Sequence, residues 1–545
     1  MKILLVEPDY KNKYPPMGLM KISTYHRNKG DYIYFYKGIY DCDEIWDKIY
    51  ITTLFTFDYK KVVKTIEYYK NRVHSIKDIY VGGILASLMT DKLISDTELI
   101  NIIPGRITSS NILGYTDNVN IDSLPLDYDI LNDTKYNYPA SKSFIAYTTR
   151  GCINKCSFCA VPQLEGNLII TNNIIHQITT IQDNFGDKKD LMLLDNNILG
   201  MPVPELKKIV SDLNKLGFIN TKTYSYPNEL EIILRTYYRY LDHGKSTLHL
   251  LIKCKNYLNN LVNGKRISRE NKSHLAEIIE HLEDHNDFFE ALEEKYEELQ
   301  KICNVYQNKI LYQRYVDFNQ GLDAREFTED KISILSKLPL KPCRIAFDNI
   351  NFKDIYINAI TMAHKFGIKF FSNYLLYNAD FDKPEDFYNR LLININLAES
   401  LDIQLFSFPM KYAPIGEKDR NYVGQHWNRH YLRSIQAIIN VTKGIVVKER
   451  DFFERAFGSD INEYFQILTM PHDFIVYRVF YESQGYTMQW KKIFKTLNTG
   501  EISILLIALS ISEYESANQK VNSILSFYQQ PYRFNKSTKS LYLSN

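Results

Sequence analysis

Three cysteines within eight residues constrain this chain more than any other feature. Cys152, Cys156 and Cys159 have the spacing C-x3-C-x2-C. The mostly apolar, β-prone run 144–149 precedes them and predicts a strand. After them, isoleucines at helical spacing predict a helix, which we expect Thr171 to cap. The sequence therefore predicts a cysteine loop between a strand and a helix, at the edge of a parallel α/β sheet where such folds place their chemistry.

The clustered thiols indicate a soft metal site. A structural zinc ion needs four protein ligands, and this loop contains no fourth Cys or His. A [4Fe–4S] cluster held by three cysteines keeps one iron open for another ligand. A zinc loop and three unrelated buried thiols are the alternatives to such a cluster.

The same loop carries a family resemblance. Its spacing, with Phe158 before the third cysteine and Thr149-Arg150-Gly151 before the first, resembles the radical S-adenosylmethionine (SAM) superfamily. The resemblance implies a partial (β/α)6, TIM-like barrel and a [4Fe–4S] cluster on the three cysteines. It also implies SAM bound to the free iron, and an external one-electron donor of the flavodoxin or ferredoxin kind. One electron then splits SAM, and the 5′-deoxyadenosyl radical abstracts hydrogen from a substrate.

The resemblance further implies SAM contacts where later strands end. Polar residues follow the apolar run 191–194, at the place where relatives hold the SAM amino group. A polar-Gly-Leu-Asp-x-Arg block at 320–325 resembles one whose Arg faces the SAM carboxylate, a task that suits a guanidinium. The predicted cofactor-binding residues are Phe158, Asp195, Asn196, Asn197, Gln320, Arg325, Asp348 and Asn373. The resemblance gives no catalytic residue for the substrate.

Each of these assignments has a structural alternative. Residues 195–197 could cap the helix predicted from Pro204. Arg325 could form a surface pair with Glu326 or Glu329. Asp348 and Asn373 could make hydrogen bonds inside the core, because buried polar groups need partners.

Residues 1–110 alternate strands with helices and predict a doubly wound, Rossmann-like domain. The arrangement resembles the cobalamin-binding-like domain found before many radical SAM cores. Gly82-Gly83 matches its glycine pair, and Thr52-Thr53-Leu54 lies where a cobalamin tail would be cradled. The first loop, Pro8 to Met17, lacks the usual cobalt-binding His. We therefore expect no stable cobalamin; a domain that only packs, or that contacts substrate, is the expected use.

The rest of the chain divides into a connector at 111–140, the core at 141–415 and a mostly helical region at 416–545. The core contains an insertion at about 220–313, longer than a crossover needs, where we expect Ser273 to cap a helix. The C-terminal region mixes basic and aromatic residues, a pattern that can bind nucleic acid or cover a helical core. These residues are Arg420, Tyr422, Trp427, Arg429, His430, Tyr431 and Arg433.

Composition limits the partners and the compartment. A net charge of +2 excludes a strong electrostatic footprint for nucleic acid. Seven cysteines, an odd number, favour a reducing, cytoplasmic compartment, and no run predicts a membrane span. Only Cys42 lies in the first domain and no cysteine follows Cys343, so we expect a single cluster. The leading prediction is a radical SAM enzyme; the alternative is a non-enzymatic iron–sulfur or zinc protein that binds nucleic acid.

Overall fold

The computed structural model describes residues 1–41, 43–171, 173–264, 267–285, 287–307, 309–417 and 421–529. Cys42 and Arg420 lie outside the described residues. The chain forms two compact units. The first contains Met1–Gln320 with Lys337–Leu340, and the second contains Gly321–Ser336 and continues from Lys341. The predicted α/β class is confirmed, since both units combine parallel sheets with many helices.

The first unit begins with a five-stranded sheet. Its strands are β1 (Lys2–Glu7), β2 (Tyr32–Lys37), β3 (Lys48–Thr53), β4 (Ile79–Gly83) and β5 (Ile102–Ile103). Its helices are α1 (Met17–Asn28), α2 (Tyr59–Tyr69), α3 (Ile84–Leu88) and α4 (Thr90–Thr97). All the strand pairs are parallel, in the order β2-β1-β3-β4-β5. Because β1 lies between β2 and β3, the strand order reverses there, as the predicted doubly wound fold requires.

A second parallel sheet in this unit carries the cysteine loop. The strands of this region are β6 (Phe144–Ala146), β7 (Thr149–Arg150), β8 (Ile169–Ile170), β9 (Leu191–Leu193), β10 (Lys222–Tyr224), β11 (Tyr312–Gln313) and β12 (Val316–Phe318). The helices are α5 (Val161–Leu164), α6 (Ile174–Phe185) and α7 (Val203–Lys215). The sheet has the order β12-β9-β6, while β7–β8 and β10–β11 are antiparallel ribbons. Asn173 caps α6, so the expected cap Thr171 is wrong: the Asn173 side chain accepts the Ile175 and His176 N–H groups.

Between β10 and β11 the insertion folds into five helices. They are α8 (Glu229–Asp242), α9 (Leu248–Val262), α10 (Arg269–Asp284), α11 (Phe288–Glu294) and α12 (Tyr296–Tyr306). Their apolar stripes form a core of their own. The hydroxyl of Ser268 accepts the Asn271 N–H and caps α10, so the expected cap Ser273 is wrong and lies inside the helix.

The second unit contains the remaining parallel strands, β13 (Cys343–Arg344), β14 (Phe370–Tyr377) and β15 (Gln404–Lys411), paired in that order. Helices α13 (Glu329–Leu335), α14 (Lys353–Lys365) and α15 (Pro384–Leu401) accompany them. The C-terminal region is helical: α16 (Arg429–Val441), α17 (Arg450–Phe457), α18 (Ile461–Thr469), α19 (His472–Val476), α20 (Arg478–Ser483), α21 (Tyr486–Phe494), α22 (Thr499–Ile511) and α23 (Gln519–Gln529). Six predicted core strands thus form two three-stranded parallel sheets, one in each unit. Within the described ranges, no helix combines the length and the apolar character needed to cross a membrane.

Candidate metal centre

The cysteine loop leaves the carboxyl end of β6 and returns beside its own start. β7 and β8 pair antiparallel, with Thr149 opposite Ile170 and Arg150 opposite Ile169, and so close the loop at its base. The Cys152 N–H donates to the carbonyl of Gly166 at 3.3 Å. Gly151 has a φ of +78°, and a Cβ there would collide with the carbonyl of Asn167. Only glycine therefore permits this crossing of the two ends of the loop.

All three cysteines are half-buried. The Cys159 N–H donates to the carbonyl of Cys156 at 3.0 Å, which gives this part of the loop a tight turn. The Cys152 sulfur accepts two N–H groups, from the Asn154 backbone at 3.3 Å and from Asn197 Nδ2 at 3.4 Å. N–H groups directed at a cysteine sulfur are a feature of iron–sulfur sites, where they tune the bound cluster.

Asn197, which follows β9, contacts the first cysteine of the loop through its side chain. Its side chain is 1% exposed. Nδ2 is used on Cys152, while Oδ1 has no hydrogen-bond partner among the described residues. An unpaired buried amide oxygen is rare and costs free energy unless a ligand or water satisfies it. Asn197 therefore offers an open acceptor beside the sulfur of Cys152.

Asp195, from the same segment, holds the backbone instead. Its Oδ1 accepts the hydroxyls of Thr148 and Thr149 at 2.6 and 2.7 Å, together with both backbone N–H groups. Burial raises the pKa of Asp195, against the lowering by these hydrogen bonds. The carboxylate fixes the turn that leads from β6 into the cysteine loop. The helix-capping alternative for 195–197 finds no support, because α7 begins after Pro202 without a side-chain cap.

Asn196 points to the other end of the loop. Its Nδ2 donates to Glu165 Oε2 at 2.8 Å. The same carboxylate accepts the Gly151 N–H at 2.9 Å and pairs with Arg150 Nη1 at 2.8 Å. Glu165 was not predicted from the sequence, and a lone Glu thirteen residues after Cys152 gives no local signal of this role.

The donor chemistry fits a [4Fe–4S] cluster, since three thiols, hydrogen-bonded sulfur and an adjacent parallel sheet edge are what such a site needs. No group of three or more His, Cys, Asp or Glu side chains is close enough to share a metal ion in the part of the chain that the structure describes. Phe158, predicted to contact the cofactor, is half-exposed in the same loop.

The end of the third strand places a buried amide and an exposed one side by side. Asn319 is buried, donates its N–H to the carbonyl of Leu193 at 2.8 Å and accepts the hydroxyl of Tyr14 at 2.9 Å. Gln320, the predicted SAM contact, is exposed in the following turn. Sequence reasoning missed the Asn319–Tyr14 contact because its partners are 305 residues apart.

In the second unit, Arg325 forms a bidentate pair with Asp323. Its Nε and Nη2 donate to the two carboxylate oxygens at 2.8 and 2.7 Å. The structure therefore pairs Arg325 with Asp323, two residues earlier. Asp348 has a different environment: burial, with a smaller contribution from Asp323, raises its pKa to about 6, against the lowering by Arg390 and Arg325.

Asn373 faces the helices that cover β14. Its Nδ2 donates to the Tyr356 hydroxyl at 2.7 Å, and that hydroxyl donates to Asn394 Oδ1 at 2.9 Å. These contacts support the core hydrogen-bond alternative for Nδ2, while the buried Oδ1 of Asn373 has no hydrogen-bond partner among the described residues. On the opposite face of the strands, Arg344 donates to the Ser372 hydroxyl at 3.3 Å and lies 5.7 Å from the ring centre of Tyr374. Arg344 was not predicted, although its position next to a strand end was a readable signal.

At the carboxyl edge of the N-terminal sheet, the groups predicted to approach a cobalamin make contacts within the chain. A Cβ on Gly83 would collide with the carbonyl of Thr53, so the glycine serves the contact between β3 and β4. The Thr53 hydroxyl donates to the Gly82 carbonyl at 2.9 Å and accepts the Ala86 N–H at 2.9 Å. Both features predicted to approach a ligand are thus engaged within the chain, and the loop after β1 contains no His.

A buried ion pair fills the same edge nearer β1. Lys37 Nζ lies 2.8 Å from Glu7, with side chains 4% and 1% exposed. Three rings surround the ammonium at 5.0, 4.4 and 5.6 Å, those of Tyr10, Tyr136 and Tyr138. The Tyr138 hydroxyl also donates to Glu7. We call these five residues the Glu7 cluster.

The aromatic residues proposed for nucleic-acid binding belong mostly to the helical core. Trp427, His430 and Tyr431 are buried. The Trp427 indole N–H donates to the carbonyl of Asp382 at 2.8 Å. Arg429 and Arg433 are exposed. Buried rings cannot stack on bases. Tyr422 is half-buried, and its hydroxyl donates to Asp380 Oδ1 at 2.5 Å, so nucleic-acid binding stays a prediction.

Comparisons with known proteins add a distant likeness. No family model and no curated protein matches the chain. Among solved structures it is similar to TsrM from Kitasatospora setae, a radical S-adenosylmethionine methyltransferase with cobalamin and a [4Fe–4S] cluster bound. The TM-score is 0.42 at 10% sequence identity, over 76% of this chain and 77% of that chain. A likeness of this strength assigns neither a fold nor a reaction.

Proposed function

We propose that the protein is a radical SAM enzyme with one [4Fe–4S] cluster on Cys152, Cys156 and Cys159. The observation that carries the proposal is the side chain of Asn197. It donates to the sulfur of the first cysteine, and its buried oxygen beside that sulfur has no partner among the described residues. An acceptor next to a cluster ligand suits the amino group of SAM, whose N–H groups are donors.

The residues of the loop then divide into three tasks. The three cysteines would hold the cluster, which supplies the electron for cleavage of SAM when bound. Asn154 and Asn197 donate to the Cys152 sulfur, and such hydrogen bonds raise the reduction potential of iron–sulfur centres. Asp195 holds the turn before the loop through Thr148 and Thr149, so we propose it as a positioning residue rather than a SAM ligand. An external flavodoxin- or ferredoxin-like donor and an unidentified substrate complete the proposal.

The decisive experiment measures SAM cleavage. Anaerobically reconstituted protein is incubated with SAM and dithionite, and 5′-deoxyadenosine is quantified. We expect product above the rate of a Cys156→Ala variant and of protein without dithionite. A protein that binds about four irons but forms no 5′-deoxyadenosine would instead support the non-enzymatic iron–sulfur alternative.

We also propose that the first domain binds no cobalamin. The occupied Thr53–Gly83 contact and the Glu7 cluster support this. The test is purification after growth in cobalamin-supplemented medium, followed by the visible spectrum. Stoichiometric cobalamin in the purified protein would contradict the proposal.

A further inference from the structure

A chain of buried ion pairs runs from the first domain to the base of the cysteine loop. Lys21 of α1 donates to Asp122 Oδ1 at 2.8 Å. The same oxygen accepts Arg150 Nη2 at 2.7 Å, and Arg150 Nη1 pairs with Glu165. Glu165 in turn accepts the Asn196 amide. We call these five residues the Arg150 network.

The network is a fixed feature of the fold. The side chains of Lys21, Asp122, Arg150 and Glu165 are 8, 12, 8 and 15% exposed. The Arg150 guanidinium also stacks on the Tyr147 ring at 3.2 Å. Buried charges are tolerated when each is paired and hydrogen-bonded, and removal of one partner leaves another charge unpaired. The four side chains therefore hold one another in a single arrangement.

Glu165 has the central position in this network. It lies at the C-terminal end of the cysteine loop, accepts the N–H of Gly151 at the loop's start, and binds the neighbour of Asn197. Its two oxygens accept three donors, from Arg150, Gly151 and Asn196. Glu165 thus joins both ends of the loop to the segment that supplies the open amide oxygen.

We propose that Glu165 is a positioning residue that sets the distance between the cysteine loop and Asn197. Two experiments test this inference. The first, the thiol arm, measures cysteine reactivity and rests on the loop geometry alone. The second, the SAM arm, measures SAM affinity and rests on the proposed function. A carboxylate is required because all three contacts come from donors. Glutamine would present its own N–H₂ group to one of them, and that contact would be lost.

The thiol arm uses the full-length, metal-free protein. Alkylation of each cysteine by iodoacetamide is followed by peptide mass spectrometry. In Glu165→Gln we expect Cys152 to react about fivefold faster, because local opening of the loop releases it from Asn197. Cys254, buried in the insertion, serves as the internal reference and should not change. Glu205→Gln, the same chemical change in the first turn of α7, is the matched control.

The SAM arm uses reconstituted protein and the electron paramagnetic resonance signal of the reduced cluster. Glu165→Gln should keep the cluster and raise the Kd for SAM about fivefold, and Glu165→Asp should recover part of the affinity. Asn196→Ala cuts one contact and keeps the Arg150 pair, so it serves if Glu165→Gln does not fold. If Glu165→Gln and Asn196→Ala both left the alkylation rate of Cys152 unchanged, the inference would be wrong, whether or not the cluster assembles. Faster alkylation with no cluster in the wild type would overturn the proposed function and leave the positioning role supported.

Discussion

Two carboxyl edges of parallel sheets in the first unit have opposite characters. At the N-terminal sheet, Glu7, Lys37 and the tyrosines around them satisfy one another, and Thr53 is bound to the first turn of α3. At the second sheet, three thiols are half-buried, and the buried oxygen of Asn197 has no partner in the part of the chain that the structure describes. Fold topology places chemistry at both edges. The hydrogen bonds decide which of them is free to bind something.

The comparison also explains what the closed edge is for. Residues of the first domain and of the connector, Lys21 and Asp122, extend into the Arg150 network below the cysteine loop. A domain without an open edge of its own can therefore still serve the site by holding the loop in place.

The largest effect that we expect separates the open edge from the rest of the molecule. Changing Cys152, Cys156 or Cys159 to Ala should abolish the iron–sulfur cluster, because each supplies one of only three protein ligands. Iron and sulfide analysis after anaerobic reconstitution measures this. Cys254→Ala is the control and should retain about four irons, since that thiol is buried in the insertion core. A full cluster in the variant that lacks all three thiols would contradict their role as cluster ligands and the contrast between the two sheet edges.

The closed edge should respond in stability rather than in ligand binding. Lys37→Met leaves the buried Glu7 carboxylate without its cation, a change that typically costs about 3–5 kcal/mol. We expect a lower free energy of unfolding in urea, with cluster content and SAM affinity unchanged in the folded fraction. Lys215→Met removes an exposed pair with Asp212 and should have little effect. A stable Lys37→Met variant that bound a ligand would show that the Glu7 cluster blocks a ligand site at this edge.

The sequence predicted the cysteine loop and the strands next to it well. The apolar runs 144–149 and 191–194 placed β6 and β9 within a few residues, since buried parallel strands are continuous apolar segments. The cysteine spacing placed the loop. Caps were predicted poorly: Thr171 and Asn173 are both capping residues, and only the backbone geometry selects Asn173. Glu165 and Asp122 could not be predicted, because their partners are distant in sequence and an isolated acidic residue resembles a solvated one.

A smaller effect is expected at the open amide of Asn197. Asn197→Ala removes the free oxygen and the donor to Cys152, so SAM should bind about tenfold more weakly, or by about 1.4 kcal/mol. SAM titration monitored by the cluster's paramagnetic signal gives the affinity. Asn214→Ala is matched, because Asn214 also has a buried side-chain oxygen without a partner among the described residues, but lies on α7. Equal affinities in the two variants would mean that an unpaired oxygen does not mark the site.

The smallest expected effect concerns Arg325, which the family resemblance favours as a SAM contact. It tests our criterion that a side chain already paired within the protein does not bind SAM. From sequence alone, Arg325→Ala is expected to weaken SAM binding tenfold or more, through loss of a charge-assisted pair with the carboxylate. In the structure the guanidinium forms a bidentate pair with Asp323, as the engaged groups of the closed edge do with their neighbours. We therefore expect a change below about threefold in the Kd for SAM, with the cluster retained. Asp323→Asn provides the converse, since it weakens the pair and leaves the cation available. If Arg325→Ala lost tenfold while Asp323→Asn bound SAM more tightly, a paired side chain would have to exchange partners on binding. Pairing within the protein would then predict SAM binding correctly for amide side chains and wrongly for guanidinium groups.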